Sequence, residues 1–356
     1  MKSLGNFPDP FRAEIAGQPD AIRRAAASLP LQREAFGGLA DAARRARTIV
    51  LTGMGSSYDA LYPCVAALAA RGVPAVMVDA AELIHFRRGL LDADALVVAV
   101  SQSGESAEVV RLAEDVAEAS RPTIVSVTND LANTLAVRAD IALDTLAGSE
   151  LGPSTMTFAA SLVVLAAVTR VMAGEPVERA VADVRAEAER AAAAGERLLG
   201  DDGLAGRVEG WLGRRSVVVL LGRGPARAAA EMGSLTLKEA AGFPAESLQA
   251  AQFRHGPLEL AGPDLAAIVV ATEPQTHDLD VGLAAELLSA GAAVLLVTAD
   301  GDGPSGVLRV GIGSLGSMLS PAIAIVPAQL LAWRLAIERG RSPGSFTRAS
   351  KVTTHE

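Results

Sequence analysis

Short apolar runs alternate with longer, more polar segments through the first half of the chain. Runs rich in Val, Ile and Ala predict strands at residues 48–52, 73–78, 95–100 and 123–127. The segments between them have the length and composition of helices. Strands that alternate with helices form βαβ units, and uniformly apolar strands are typical of a parallel sheet buried on both faces. The pattern therefore predicts a doubly wound α/β fold.

Helical segments flank this region. Residues 11–46 carry four apolar side chains on one loose face, namely Phe11, Ile15, Ile22 and Leu29. Residues 14–19 predict a turn between two helices, since Pro19 can open the second. The Ala-rich segment 158–200 predicts one or two long helices that end at a boundary near residues 200–203.

The strand pattern then starts again. Residues 47–55 and 215–224 are both strands that run into Gly-x-Gly, and residues 96–103 and 267–274 occupy matching places after them. An internal duplication is the simplest explanation. We therefore expect two flavodoxin-like, doubly wound parallel-sheet domains in tandem. The predicted limits are 1–46 for N-terminal helices, 47–200 and 201–340 for the domains, and 341–356 for a tail over the active site.

Composition narrows the function. The chain has 356 residues, a net charge of -9 and no basic cluster, which argues against a nucleic-acid partner. Cys64 is the single cysteine, as expected of a reduced cytoplasmic protein without a disulfide or zinc framework. Residues 1–10 lack the apolar core of a signal peptide, and Gly and Pro interrupt the uncharged run 310–333. We expect no membrane span, metal or cofactor.

Hydroxyl and amide side chains cluster where the strand 95–100 gives way to a helix near Ala107, with Gly104 among them: Ser101, Gln102, Ser103 and Ser106. A helix N-terminus offers unsatisfied N–H groups and a partial positive charge, which suits a phosphate. The alternative is a Ser-rich cap that only starts the helix.

A second cluster follows the strand 48–52 and consists of Gly55, Ser56 and Ser57. Adjacent strand ends at a reversal of strand order line one crevice, so both clusters could bind the same anion. A dinucleotide fold is a weak alternative, because Gly53-Met54-Gly55 lacks the third glycine. In the second half, Glu273 and Pro274 replace Gln102 and Ser103. Since a carboxylate repels phosphate, only the first half should bind one.

Five groups of motifs in order resemble the paired sugar isomerase (SIS) domains of glucosamine-6-phosphate synthase and of related phosphosugar isomerases and deaminases. They lie at residues 14–19, at 53–58 with 101–106, at 237–239 with 254–258, at 329–333 and at 350–356. The resemblance covers nearly the whole chain. It implies an enzyme that moves a carbonyl between C1 and C2 of a sugar phosphate.

The resemblance also implies site residues. Glu239 matches the isomerising base, His255 the ring-opening histidine, and Lys351 the tail lysine that forms an imine. Glu150 and Thr155 lie in the loop that contacts the sugar and its amino group. The alternatives are a solvated helix glutamate, which local context alone favours, a loop histidine with no role in a site, and a frayed terminal lysine. The residues that flank His255, Arg254 and Gly256-Pro257, favour a loop that presents its side chain to a site. Burial would raise the pKa of Glu239 towards neutrality, as a base requires.

Lysine usage supports a special role for the tail. Lysine occurs only at Lys2, Lys238 and Lys351, and unlike arginine it can lose its proton and form a Schiff base. We expect Lys238 to support the electrostatics of Glu239. The sequence departs from the family where Thr157 and Thr236 replace lysines and Met54 replaces a small residue. These changes leave the identity of the sugar open.

The leading interpretation is a cytoplasmic phosphosugar isomerase or aminosugar-phosphate deaminase. It would interconvert an amino-hexose 6-phosphate and a ketose 6-phosphate through an enolamine or enediol, without a glutaminase domain. The synthase takes its ring-opening histidine from the neighbouring subunit, so the resemblance implies a homodimer with shared sites. The alternative is a regulatory protein that binds a sugar phosphate without turning it over. Such regulators usually carry a helix-turn-helix, for which the segment before Arg47 leaves little room.

Overall fold

The computed structural model describes residues 9–115, 121–348 and 350–355. Residues 1–8 lie outside this range. They include Lys2 and most of the segment 1–10, for which the sequence predicts no signal peptide. Ten strands form two sheets of five, and every strand pair is parallel. The strands of the first sheet are β1 (Thr48–Gly53), β2 (Ala75–Met77), β3 (Ala95–Val100), β4 (Thr123–Thr128) and β5 (Ile141–Asp144). Those of the second are β6 (Val217–Gly222), β7 (Ala245–Gln249), β8 (Leu265–Ala271), β9 (Ala293–Thr298) and β10 (Leu308–Gly311).

The first sheet has the order β2-β1-β3-β4-β5. Its central strand β3 is buried at all six positions, which explains why its sequence is continuously apolar. All four predicted strands are confirmed, and β5 was missed because its three apolar residues lie between Asp140 and Asp144 and give no continuous apolar run. Strand order reverses between β1 and β3, where Gly53 lies beside Val100. A ligand crevice is expected at that reversal.

The second sheet has the order β10-β9-β8-β6-β7. Counted from its own first strand, this order is 2-1-3-4-5, the same as in the first sheet. The shared topology confirms the expected α/β fold of two flavodoxin-like parallel sheets and supports the duplication. The equivalent reversal lies between β6 and β8, where Gly222 pairs with Val270.

Helices cover the sheets, and the predicted N-terminal helices and the Ala-rich pair are present. The four apolar residues of the N-terminal face are at most 1 % exposed. The helices are α1 (Pro10–Ala16), α2 (Gln18–Ser28), α3 (Arg33–Arg45), α4 (Ser56–Asp59), α5 (Tyr62–Ala70), α6 (Ala80–Phe86), α7 (Ala107–Asp115), α8 (Thr134–Arg138), α9 (Met156–Met172), α10 (Val177–Leu199), α11 (Leu204–Leu212), α12 (Arg227–Ala241), α13 (Ala250–Phe253), α14 (His277–Ser289), α15 (Ser320–Ala324) and α16 (Val326–Glu338).

Packing divides the described residues into two compact units that are discontinuous in sequence. The sheet-one unit comprises residues 20–149, 156–190 and 352–355, and the sheet-two unit comprises residues 9–19, 150–155 and 191–351. The N-terminal helix and the loop 150–155 thus pack with the second sheet. These units describe packing, and the sequence-based domain limits remain predictions.

One stretch, Ser320–Glu338, is long and apolar enough to cross a membrane by length and composition alone. However, 83 % of its apolar window is buried inside the structure. Burial of this kind is typical of the core helix of a globular protein.

Candidate functional site

The loop that follows β3 brings the predicted phosphate-binding hydroxyls together. Ser101 Oγ and Ser106 Oγ lie 3.4 Å apart, and Ser101 Oγ also accepts the Gly104 amide at 3.1 Å. Because each serine has a single hydroxyl proton and one of the two is used in the Ser101–Ser106 contact, the other hydroxyl can donate to an anion directly, and both can donate only if that contact opens. Ser103 Oγ accepts the Glu105 amide at 3.1 Å, which tightens the turn.

Two features explain the local fold of this loop. Gly104 has φ +65°, and a Cβ there would lie 1.9 Å from Asn133 Oδ1, so only glycine fits. The Glu105 carboxylate accepts the Thr134 amide at 2.7 Å and its hydroxyl at 2.9 Å. Glu105, the one acidic residue of the loop, therefore uses its carboxylate to accept hydrogen bonds at the start of α8.

The loop after β1 lies at the same edge of the sheet. A Cβ on Gly53 would be 2.8 Å from the Val100 carbonyl, so glycine permits the close approach of β1 and β3. Gly55 has φ +51° and precedes α4, which begins with the half-buried Ser56 and Ser57. Strand pairing thus brings both predicted hydroxyl clusters to one edge, with Gln102 half-buried between Ser101 and Ser103.

The tail contacts the helix that the serine loop opens. The Ala107 amide, the first of α7, donates to the Thr353 carbonyl at 3.0 Å. Part of the predicted tail is therefore ordered by a backbone hydrogen bond at the end of this loop.

A lysine and three glutamates form a second cluster, within the sheet-two unit. Lys351 Nζ donates to Glu150 Oε2 and to the Gly152 carbonyl, each at 2.7 Å. The Glu150 side chain is fully buried and Lys351 is 22 % exposed. The other oxygen of Glu150 accepts the amide and the hydroxyl of Thr155, at 2.8 and 2.9 Å. Thr155 therefore orients Glu150, and Glu150 orients Lys351.

Glu14 belongs to this cluster, although the sequence analysis did not select it as a site residue. Its carboxylate accepts the Leu151 amide at 2.5 Å and the Gly152 amide at 3.2 Å. Burial and the nearby Glu150 raise its pKa. A signal was present, since Glu14 is a charged residue on the buried face of α1 beside Phe11 and Ile15.

Glu239 lies on α12 and is the member of the cluster whose pKa is raised to near neutrality. Burial raises its pKa from 4.5 to about 7; Lys351 and Lys238 lower the pKa, and Glu150 raises it. The pKa shift has the direction and the cause that the sequence analysis expected. Lys238 is exposed and favours the charged form of its neighbour, also as expected.

His255 lies in the turn after α13, where its amide donates to the Gln252 carbonyl at 3.0 Å and the residue is exposed. It is not among the groups that shift the pKa of Glu239. The structure thus groups Glu239, Lys351, Glu150 and Thr155, whereas His255 lies exposed on its own turn.

The two positions where the resemblance implies lysine carry buried threonines. Thr236 Oγ1 donates to the Met232 carbonyl at 2.8 Å within α12, and Thr157 is buried in the first turn of α9. Neither can supply a cation, so Lys351 and Lys238 are the lysines that act on Glu239.

Comparisons with known proteins agree with this architecture. The chain is 30 % identical over 363 residues to a glutamine–fructose-6-phosphate aminotransferase (isomerizing) from Pyrobaculum aerophilum, across 100 % of this chain and 59 % of the relative. It spans less than two thirds of the length of that relative.

Solved structures share the fold. The C-terminal domain of a glucosamine-fructose-6-phosphate aminotransferase from Francisella tularensis has a TM-score of 0.82 at 23 % identity, covering 95 % of this chain and 98 % of that one. A glucosamine-6-phosphate deaminase from Thermotoga maritima has a TM-score of 0.71 at 21 % identity, covering 96 % and 99 %. The SIS domain family profile matches residues 43–170 and 214–308. The chain belongs to the SIS domain family.

Proposed function

We propose that this protein interconverts an amino-hexose 6-phosphate and a ketose 6-phosphate through an enolamine or enediol. The observation that carries the proposal is Glu239, a half-buried carboxyl group whose pKa is raised by desolvation to about 7 and which is electrostatically coupled to Lys351. A base with a pKa near the working pH accepts and returns a proton with comparable ease. Isomerisation needs a base that both accepts and returns a proton, because the proton is removed from one carbon, C1 or C2, and delivered to the other.

The serine loop supplies the phosphate site in this proposal. Ser101 and Ser106 converge to 3.4 Å and offer neutral donors beside the start of α7. Neutral hydroxyls and backbone amides suit a phosphomonoester.

Lys351 provides the carbonyl chemistry. Its ammonium group is held by Glu150 and must first lose a proton, for which Glu239 is the nearby base. The free amine would add to the C2 imine of the isomerised substrate and expel ammonia. Water would then hydrolyse the lysine imine, releasing the ketose and restoring Lys351. The net reaction consumes one water and yields one ammonia.

His255 completes the scheme by opening the sugar ring at O5. Its exposure on one chain suits the expectation that it serves the site of a second copy in a cytoplasmic homodimer. Proteins that share this fold support a sugar-phosphate substrate, since they include a glucosamine-6-phosphate deaminase and a tagatose-6-phosphate ketose/aldose isomerase.

The test is to incubate the purified chain with glucosamine 6-phosphate and related hexosamine and fructosamine 6-phosphates in D2O. Proton exchange at C2 by NMR and ammonia release by a coupled assay report isomerisation and deamination separately. Glu239→Gln should abolish exchange while Ser101→Ala mainly weakens binding. Binding without exchange or ammonia release for every sugar would favour the regulatory alternative and reject catalysis.

A further inference from the structure

The second sheet has its own strand-order reversal, between β6 and β8, and acidic residues occupy it. Arg223 follows β6, and its Nε donates to Asp280 Oδ1 at 2.5 Å. The other oxygen of Asp280 accepts the Thr276 hydroxyl at 2.9 Å, and the Asp280 side chain is 1 % exposed. The charge of Asp280 is therefore balanced by Arg223, and each of its carboxylate oxygens accepts a hydrogen bond within the protein.

Glu273, which follows β8, is not neutralised in this way. It is 5 % exposed, and its Oε2 accepts the Ser317 hydroxyl at 2.6 Å. Its Oε1 is buried and has no hydrogen-bond partner among the described residues. The ion pairs formed within that part of the chain do not include Glu273 either. A buried carboxylate without a cation is strongly disfavoured.

Further unpartnered oxygens accompany it. Thr272 Oγ1 is buried without a partner in the described structure, and so is Ser320 Oγ in the turn that carries Ser317. That turn is closed by the bond from the Ser320 amide to the Gly316 carbonyl. One carboxylate oxygen and two hydroxyl groups thus lack hydrogen-bond partners in the described structure. The bond from Ser317 to Glu273 joins the two segments that carry them.

We propose that Glu273, with the hydroxyls of Thr272 and Ser320, binds a monovalent cation of the potassium or ammonium class. The cation would balance the charge of Glu273, which a water molecule would leave uncompensated. Oxygen atoms of this kind suit both potassium and ammonium, since one needs lone pairs and the other donates hydrogen bonds to them. Among the described residues, no group of three or more His, Cys, Asp or Glu side chains could hold a metal ion, so a multivalent metal is not the expected guest.

The duplication gives the proposal its context. The equivalent edge of the first sheet carries Gln102 and Ser103, which are neutral, where the second carries Glu273 and Pro274. The same topological position would bind an anion in one copy and a cation in the other. This inference does not depend on the proposed reaction.

The test measures the thermal unfolding of the full chain in potassium, ammonium, sodium or choline chloride at one fixed ionic strength. Choline is too large for a buried site and reports general salt effects. We expect a saturable rise in Tm of about 2 °C or more with potassium or ammonium relative to choline. Comparing the two cations shows which one the site prefers.

Variants locate the effect. Glu273→Gln should remove the cation dependence, and Thr272→Val should raise the half-saturating concentration. Glu246→Gln deletes an exposed carboxylate of β7 and should leave the dependence unchanged. Equal Tm values in all four salts would overturn the proposal and favour a protonated Glu273 or a bound water. Cation dependence that survives in Glu273→Gln would place the binding elsewhere and would also reject this site.

Discussion

Replacing Glu239 by Gln should make the protein more stable above neutral pH while it removes catalysis. The pKa of Glu239 is raised from 4.5 to about 7, chiefly because burial penalises the ionised form. The ionised carboxylate is therefore less stable in the folded protein than in the unfolded chain. Gln has nearly the same shape and cannot ionise, so it avoids that penalty.

The size of the stability gain and the pH range over which it appears follow from the pKa of Glu239 in the unfolded and in the folded chain. A rise from 4.5 to about 7, at about 1.4 kcal/mol per pKa unit, corresponds to about 3.5 kcal/mol. The penalty is complete above pH 7, where both states are ionised. It declines as the pH falls from 7 to 4.5 and is absent below 4.5, where both states are protonated. Because the buried Gln amide also needs partners, we expect a net gain of about 1–3 kcal/mol at pH 8.5.

Urea unfolding of the wild type and of Glu239→Gln at pH 8.5, 7 and 4.5 measures this difference. The stability advantage should shrink as the pH falls and disappear near pH 4.5. Glu246→Gln, which removes an exposed carboxylate, should show no such trend. A variant that is less stable than the wild type at pH 8.5, or equally stable at every pH, would refute the assignment of a burial-raised pKa to Glu239.

Three substitutions and one labelling experiment test other residues of the structure. Glu14→Gln should lower kcat more than it raises KM, because the Leu151 and Gly152 amides lose one of the two carboxylate oxygens that accept their hydrogen bonds, at a cost of about 1–3 kcal/mol. Kinetics equal to those of the wild type would contradict a role for Glu14 in holding this loop. Ser101→Ala should raise KM roughly 10- to 100-fold for a phosphorylated sugar, as expected for one hydrogen bond to a charged group, in steady-state assays. Lys351→Arg should keep the ion pair to Glu150 yet lose turnover and borohydride trapping of the sugar, so trapping in the variant would exclude the imine. Cys64, whose pKa burial raises to about 12, should resist iodoacetamide at pH 8 until urea unfolds the chain, as mass spectrometry can show.

Local sequence patterns predicted most of the fold because its strands are buried on both faces. A strand such as β3, with all six residues buried, must be continuously apolar and is therefore visible in the sequence. The edge strand β5 is only half-buried over most of its length, so four residues of mixed character gave no comparable signal. The Gly-x-Gly turns were equally visible, because the approach of β1 to β3 admits no side chain at Gly53.

The candidate site was only partly predictable, for a physical reason. An anion site at a helix N-terminus is built from neighbouring residues in the sequence, so the serine loop 101–106 could be predicted from its own residues. The lysine cluster instead joins residues far apart in the chain: Lys351 is 201 residues from Glu150, and Glu14 is 137 from Leu151. No periodicity encodes such contacts, and Glu239 and Lys351 were selected through family resemblance. The pKa of Glu239 needed the burial and the charges that only the folded chain supplies.

The two sheets offer an internal control on what determines ligand charge in this fold. Strand order, strand direction and the Gly-x-Gly turn are common to both, so backbone topology cannot distinguish the copies. The side chains after β3 and β8 do differ, with Gln102 in one and Glu273 in the other. In the first copy the Glu105 carboxylate accepts hydrogen bonds at the start of α8, whereas in the second Glu273 Oε1 has no hydrogen-bond partner among the described residues. Because a carboxylate repels an anion and attracts a cation, the two proposed sites would differ in ligand charge through this one position while the fold stays the same.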